Sequence, residues 1–115
     1  MHELSIAEAL IDQVNSIALH EGSSIVNVTV VIGALAGVDA EALDQAFKIA
    51  IEDTRLKKTS LTIENAPARV MCNSCKKESN PVFPFFACQH CNSTDFEIIS
   101  GRDLILKSVD VDQPA

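Results

Sequence analysis

Apolar residues recur along this chain with two periods, and the changes of period mark its elements. Between Leu4 and Leu19 the residues Ala7, Leu10, Ile11, Val14, Ile17 and Ala18 return at steps of three and four, with Glu8, Asp12 and Asn15 on the other side. That spacing predicts an amphipathic helix, ended by Gly22 and the serines after it. Ile25 to Ile32 is rich in β-branched residues, and Val26, Val28, Val30 and Ile32 share one face at period two, as in a strand. Gly33 to Gly37 reads as a turn. Asp39 is placed to cap a second helix whose stripe is Leu43, Ala46, Phe47, Ala50 and Ile51. Across 59–64, Leu61 and Ile63 alternate with polar neighbours, a second strand that Asn65-Ala66-Pro67 interrupts. In 103–111, Leu104 and Leu106 alternate with Ile105 and Lys107, a third strand.

These elements predict an α+β fold, with two helices packed on a small three-stranded sheet. The segment 66–101 is then an insertion between the second and third strands, joined near Pro67 and Gly101. The expected organisation is one domain made of 1–65 plus 102–115 and a small module at 66–101. Asp110 to Ala115 reads as a frayed polar tail. The module has little to bury beyond Val82, Phe83, Phe85 and Phe86, so it needs a staple.

Its cysteines supply one. They are spaced Cys72-x2-Cys75-x12-Cys88-x2-Cys91. A Cys-x-x-Cys turn points two thiolates at one ion, and two such turns complete a tetrahedral four-sulfur shell. Four protein ligands leave no position for a substrate water, so the spacing predicts a structural zinc site, with iron as the other metal those sulfurs suit. Two disulfides or a redox pair are the competing readings. The start of the chain lacks a basic, uninterrupted apolar leader, and no stretch is long enough to span a bilayer, so the chain is expected in the cytoplasm with reduced thiols. His90, between Cys88 and Cys91, is expected to face solvent. His20 is expected at the end of the first helix, where the helix terminus favours it.

Charge narrows the function classes. Sixteen Asp and Glu oppose nine Lys and Arg, the net charge is -7, and there is no Trp or Tyr, which argues against a nucleic-acid surface. No nucleophile–base constellation accompanies the closed sulfur site, so an enzyme is not expected. Glu3, Glu8 and Asp12 read as a solvated helix face, with attraction of a partner protein as the other reading. His2 is open to two readings: a harmless terminal side chain, or part of a chelate formed by the Met1 amine, the His2 backbone nitrogen and the His2 imidazole. Such a nitrogen set favours nickel(II) or copper(II).

The start Met1-His2-Glu3-Leu4-Ser5, the stretch Val31-Ile32-Gly33-Ala34-Leu35-Ala36-Gly37-Val38, the paired Cys-x-x-Cys turns and Gly101-Arg102-Asp103-Leu104-Ile105-Leu106 occur in that order. Together they resemble the nickel-insertion metallochaperones of nickel–iron hydrogenase maturation, the HypA/HybF family, over essentially the whole chain. The resemblance implies nickel cargo bound at His2, in a nickel-binding α/β domain; the Met1 amine and the Glu3 backbone are the further donors expected beside it. It implies structural zinc on Cys72, Cys75, Cys88 and Cys91. It also implies delivery with a partner GTPase of the HypB type to the hydrogenase large subunit, by a monomer or homodimer without nucleic acid or membrane. Gln89 departs from the family pattern, which often has proline there. The competing class is a zinc-ribbon protein-interaction module that delivers no metal.

Overall fold

The computed structural model of the chain describes residues 2–82 and 84–112. Met1, Phe83 and the Gln113–Ala115 end of the expected tail lie outside the described residues. The first apolar stripe is helix α1 (His2–Asn15), which buries Ala7, Leu10, Ile11 and Val14. It ends earlier than its periodicity suggests. The Ser16 hydroxyl donates to the Gln13 carbonyl (2.6 Å) and the Ile17 amide to the Val14 carbonyl (3.1 Å), tightening the last turn. Ile17 and Ala18 therefore leave the helix, and His20 lies beyond its end, so the helix terminus does not account for that histidine.

Strand β1 (Ser24–Gly33) buries Val28, Val30 and Ile32, but Val26 is 44% exposed while Ile25 is buried. The alternation changes phase near Asn27. That side chain ties the sheet together instead: its Nδ2 donates to Thr29 and Asp110, and its Oδ1 accepts from Ser60 and Thr62. Helix α2 (Ala40–Ile51) starts as expected, with Asp39 Oδ1 accepting from the amides of Glu41 (2.9 Å) and Ala42 (3.1 Å). It buries Leu43, Phe47 and Ile51 and packs beside α1.

With β2 (Ser60–Ala66) and β6 (Leu104–Asp112), β1 forms a three-stranded sheet in the order β2-β1-β6. Thr59 and Ser60 donate to the carbonyls of Ile25 and Val26 in turn, so β2 runs parallel to β1, with α2 as the crossover that a parallel pair needs. The bonds from Asn27 to Asp110 and from the Gly33 amide to the Asp103 carbonyl make β6 antiparallel. The strand persists through Asp112, where a frayed tail was expected to have begun.

The chain divides into two compact units, one of Met1–Val31, Val38–Glu64 and Ile105–Ala115, the other of Ile32–Gly37 and Asn65–Leu104. The second contains three strands that periodicity did not reveal, β3 (Arg69–Cys72), β4 (Glu78–Ser79) and β5 (Phe96–Ser100), in the order β4-β3-β5. Both pairings are antiparallel, with Val70 opposite Ser79 and Ile98. Arg69 makes two bonds to the Glu78 carboxylate (3.1 and 2.8 Å) across β3 and β4. Gly33 and Gly101 are needed for close backbone approach. A Cβ on Gly33 would run into the Gly101 carbonyl, and Gly101 itself has φ +111° with Ala68 Cα 2.9 Å from where a Cβ would stand.

Candidate metal centre

Each cysteine pair sits on a turn of the same design. In the first, the Cys72 amide donates to the Lys77 carbonyl (3.0 Å) and the Lys76 amide to the Cys72 carbonyl (3.0 Å). In the second, the Cys88 amide donates to the Ser93 carbonyl (2.8 Å) and the Asn92 amide to the Cys88 carbonyl (2.9 Å). Both turns pass through a left-handed residue four places after the first cysteine, Lys76 (φ +61°) and Asn92 (φ +63°). Asparagine tolerates that conformation well; lysine does so at a cost. The turns are stitched together by the Asn73 amide and side chain on Asp95 and by the Ser74 and Ser93 hydroxyls, 3.0 Å apart. Gln89 Oε1 accepts from the Asn80 amide (3.0 Å), which holds the second turn through its own side chain.

The result is a convergence of four sulfurs, all within 4.8 Å of one another, with Cys72 and Cys88 buried, Cys75 half-buried and Cys91 exposed. All four are free cysteines. Amide hydrogens point at two of the sulfurs, from Cys75 to Cys72 Sγ and from His90 to Cys88 Sγ, each at 3.4 Å. His90 is exposed, as expected, and its Nε2 lies 3.0 Å from the Glu78 carbonyl rather than among the sulfurs. The donor set, four convergent soft thiols with N–H groups aimed at the sulfurs, fits a metal such as zinc.

The protons of the cluster are unevenly held. The His90 amide pulls Cys88 down to about 6, and the Cys75 amide lowers Cys72. Burial pushes the Cys75 thiol up. Cys91 feels a lowering pull from the Ser93 amide, but its hydrogen bond with Cys72 and its loss of water outweigh that and push it up to about 12. Each lowered sulfur is 3.6 Å from a raised one, Cys72 from Cys91 and Cys88 from Cys75, so each pair tends to share one proton. A metal ion must displace whatever protons remain. Above a pH of about 6 Cys88 is already a thiolate in the metal-free cluster; below it, binding must also expel that proton. Zinc affinity should therefore weaken as pH falls, and its logarithm should steepen against pH by about one proton below that point. Competition with a chromophoric chelator across mildly acid and neutral pH measures the slope; an unchanged slope would contradict the assignment of the low value to Cys88.

At the other end of the chain, His2 is the first residue of α1; its side chain is outside the description, as is the Met1 amine. Glu3 has a role that sequence reasoning missed. Its Oε2 accepts from the Asp39 amide (3.2 Å), joining the start of α1 to the cap of α2, and this bond holds the carboxyl below its usual range. A cap residue's own amide needs an acceptor, which a capping box would supply three residues later. Here it comes from 36 positions upstream, where no local motif could show it.

Fold and centre together define a small α+β protein with a four-cysteine metal site. The profile described as hydrogenase/urease nickel incorporation, metallochaperone, hypA, matches residues 1–111. Hydrogenase maturation factor HypA of a Synechococcus species is 39% identical over 112 residues, covering 96% of this chain and 99% of its own length. The protein of the same name from Nitrosospira multiformis is 38% identical, covering 96% and 97%. The solution structure of the Ni metallochaperone HypA from Helicobacter pylori superposes with a TM-score of 0.62 at 24% identity, covering 94% of this chain and 95% of that one, a likeness of fold. The chain belongs to the HypA family of nickel-incorporation metallochaperones for hydrogenase maturation, a family of maturation factors and not of enzymes. No helix among the described residues is long and apolar enough to cross a membrane.

Proposed function

We propose that this chain binds Ni(II) at its N-terminal start and, in the cytoplasm, passes it with a GTPase of the HypB type to the large subunit of nickel–iron hydrogenase. Family membership carries the reading. His2 supplies the imidazole ligand, with the Met1 amine and the Glu3 backbone as further donors. The position suits that chemistry. The first amides of a helix have no carbonyl partner within it, so a metal that takes a donor there breaks no helical hydrogen bond. The bond from Glu3 to Asp39 limits how far the first turn can stray. Cys72, Cys75, Cys88 and Cys91 hold one zinc, which supplies folding free energy to its unit and no reactive position. In this division of labour residues 1–65 with 102–115 handle nickel and 66–101 form the zinc module. A nickel titration of untagged protein tests the reading. One tight nickel site, lost in His2→Ala with zinc retained, is the expected result; undiminished binding by that variant would reject it.

A further inference from the structure

The flank of α1 that meets α2 carries a groove of about 350 Å³, lined by Leu4, Ile11 and Ala50 and bordered by Glu8 and Asp12. We propose that it docks a cationic amphipathic helix of a partner protein, one with aliphatic side chains along one face and Lys or Arg a turn apart beside them. This deepens the delivery reading and rests on it only for which maturation protein supplies the helix.

Three observations carry the inference. Leu4 is 49% exposed although it begins the apolar stripe and lines the groove, so an apolar wall of the groove is open to a partner. Glu8 and Asp12 stand one turn apart and have no ion-pair partner among the described residues, whereas Asp44 at the same spacing on α2 is paired with Lys48 (2.9 Å). Finally, no Lys or Arg occurs before Lys48, a stretch with seven acidic residues, and the first unit as a whole has twelve Asp and Glu against five Lys and Arg. The second unit has four of each. The chain's excess negative charge thus sits entirely in the unit that carries the groove. Such a field rejects anionic lipid and nucleic acid and steers a basic protein segment inward. A helix is the matching shape, because its side-chain ridges fit a furrow flanked by another helix and its residues at i and i+4 reproduce the spacing of the two carboxylates.

The test uses the full zinc-loaded chain and stapled helical peptides followed by fluorescence anisotropy. One peptide has leucines flanked by lysines, a second has glutamates for the lysines, and a third has serines for the leucines. The first should bind, more weakly as salt rises, with amide shifts in NMR centred on Leu4, Ile11 and Ala50. Glu8→Lys with Asp12→Lys should weaken it about tenfold or more and transfer the preference to the glutamate peptide. Ala50→Leu, which fills the groove without changing charge, should weaken binding too. Equal binding of the serine peptide, no reversal in the double variant, or indifference to Ala50→Leu would each overturn the proposal. None of these variants touches the proposed nickel donors, so failure of the delivery reading would show in the nickel titration and not here. Loss of GTPase association in the same double variant would identify the GTPase as the source of the helix; retained association would assign the groove to another maturation partner.

Discussion

Replacing Cys88 by serine should strip the metal from the protein and unfold the second unit while α1, α2 and their sheet persist. Cys88 is fully buried, its sulfur accepts from the His90 amide, and its backbone holds both ends of the second turn. With one ligand lost, the metal loses its closed shell, and in zinc-finger peptides that shell is worth about 10–16 kcal/mol at neutral pH. Little else holds the unit. Its buried side chains among the largest of the chain are Val70 and the two cysteines, and among the described residues Phe86 meets Phe96 edge to face (5.6 Å). Val82 and Phe85 are 69% and 86% exposed and contribute almost nothing to a core. The first unit, by contrast, packs Phe47, Leu43, Leu56, Val14, Val28 and Val30 with no metal, each burial being worth roughly 1.5–3 kcal/mol. Elemental analysis should show about one zinc per chain in the parent and a large loss in the variant. Hydrogen exchange should lose protection at Cys72, Lys76 and Asn92 but keep it at Val28, Val30 and Phe47. Full zinc content in the variant would overturn the ligand set.

The same contrast explains what the sequence revealed and what it hid. α1, α2 and β1 each carry buried side chains at their apolar positions, and β2 and β6 alternate half-buried with exposed ones, so the apolar period is written into all five. Even there the ends were set by polar side chains whose partners a hydropathy pattern does not encode: Ser16 closing α1, and Asn27 bonding to both neighbouring strands. In the second unit a metal site takes over much of the work of a core, so β3, β4 and β5 carry only short patterns, such as Val70 and Cys72 inside and Met71 outside. The cysteine cluster was nevertheless the most legible feature, because Cys-x-x-Cys spacing is a local property. The left-handed Lys76 left no trace, since lysine is not a residue that signals such a turn. Glu3 and Asp39 were each read separately, as solvated face and as cap, and only the fold brings them together.

That junction frames the prediction about the nickel site. Adding residues before Met1 should abolish tight nickel binding even with His2 intact, whereas a tag after Ala115 should leave it unchanged. The proposed chelate uses the terminal amine, and extension converts that amine to an amide, a far poorer donor at neutral pH. His2→Ala should have an effect as large by removing the imidazole, and the two changes together should be little worse than either, because both dismantle one chelate. Zinc content should stay constant throughout, since the four thiols are separate donors. The site should also answer to protons. Protons compete with nickel for the lone pairs of an imidazole, with an ordinary pKa of about 6.5, and of an amine, at about 7.7–8, so nickel affinity should weaken progressively as pH falls through that range and below it. Calorimetric titration of untagged, N-extended, C-tagged and His2→Ala protein, at neutral and mildly acid pH, separates the contributions. Equal affinity in the N-extended form would remove the amine from the ligand set and require another donor beside His2. Equal affinity in His2→Ala would move the nickel site away from the start of α1 altogether.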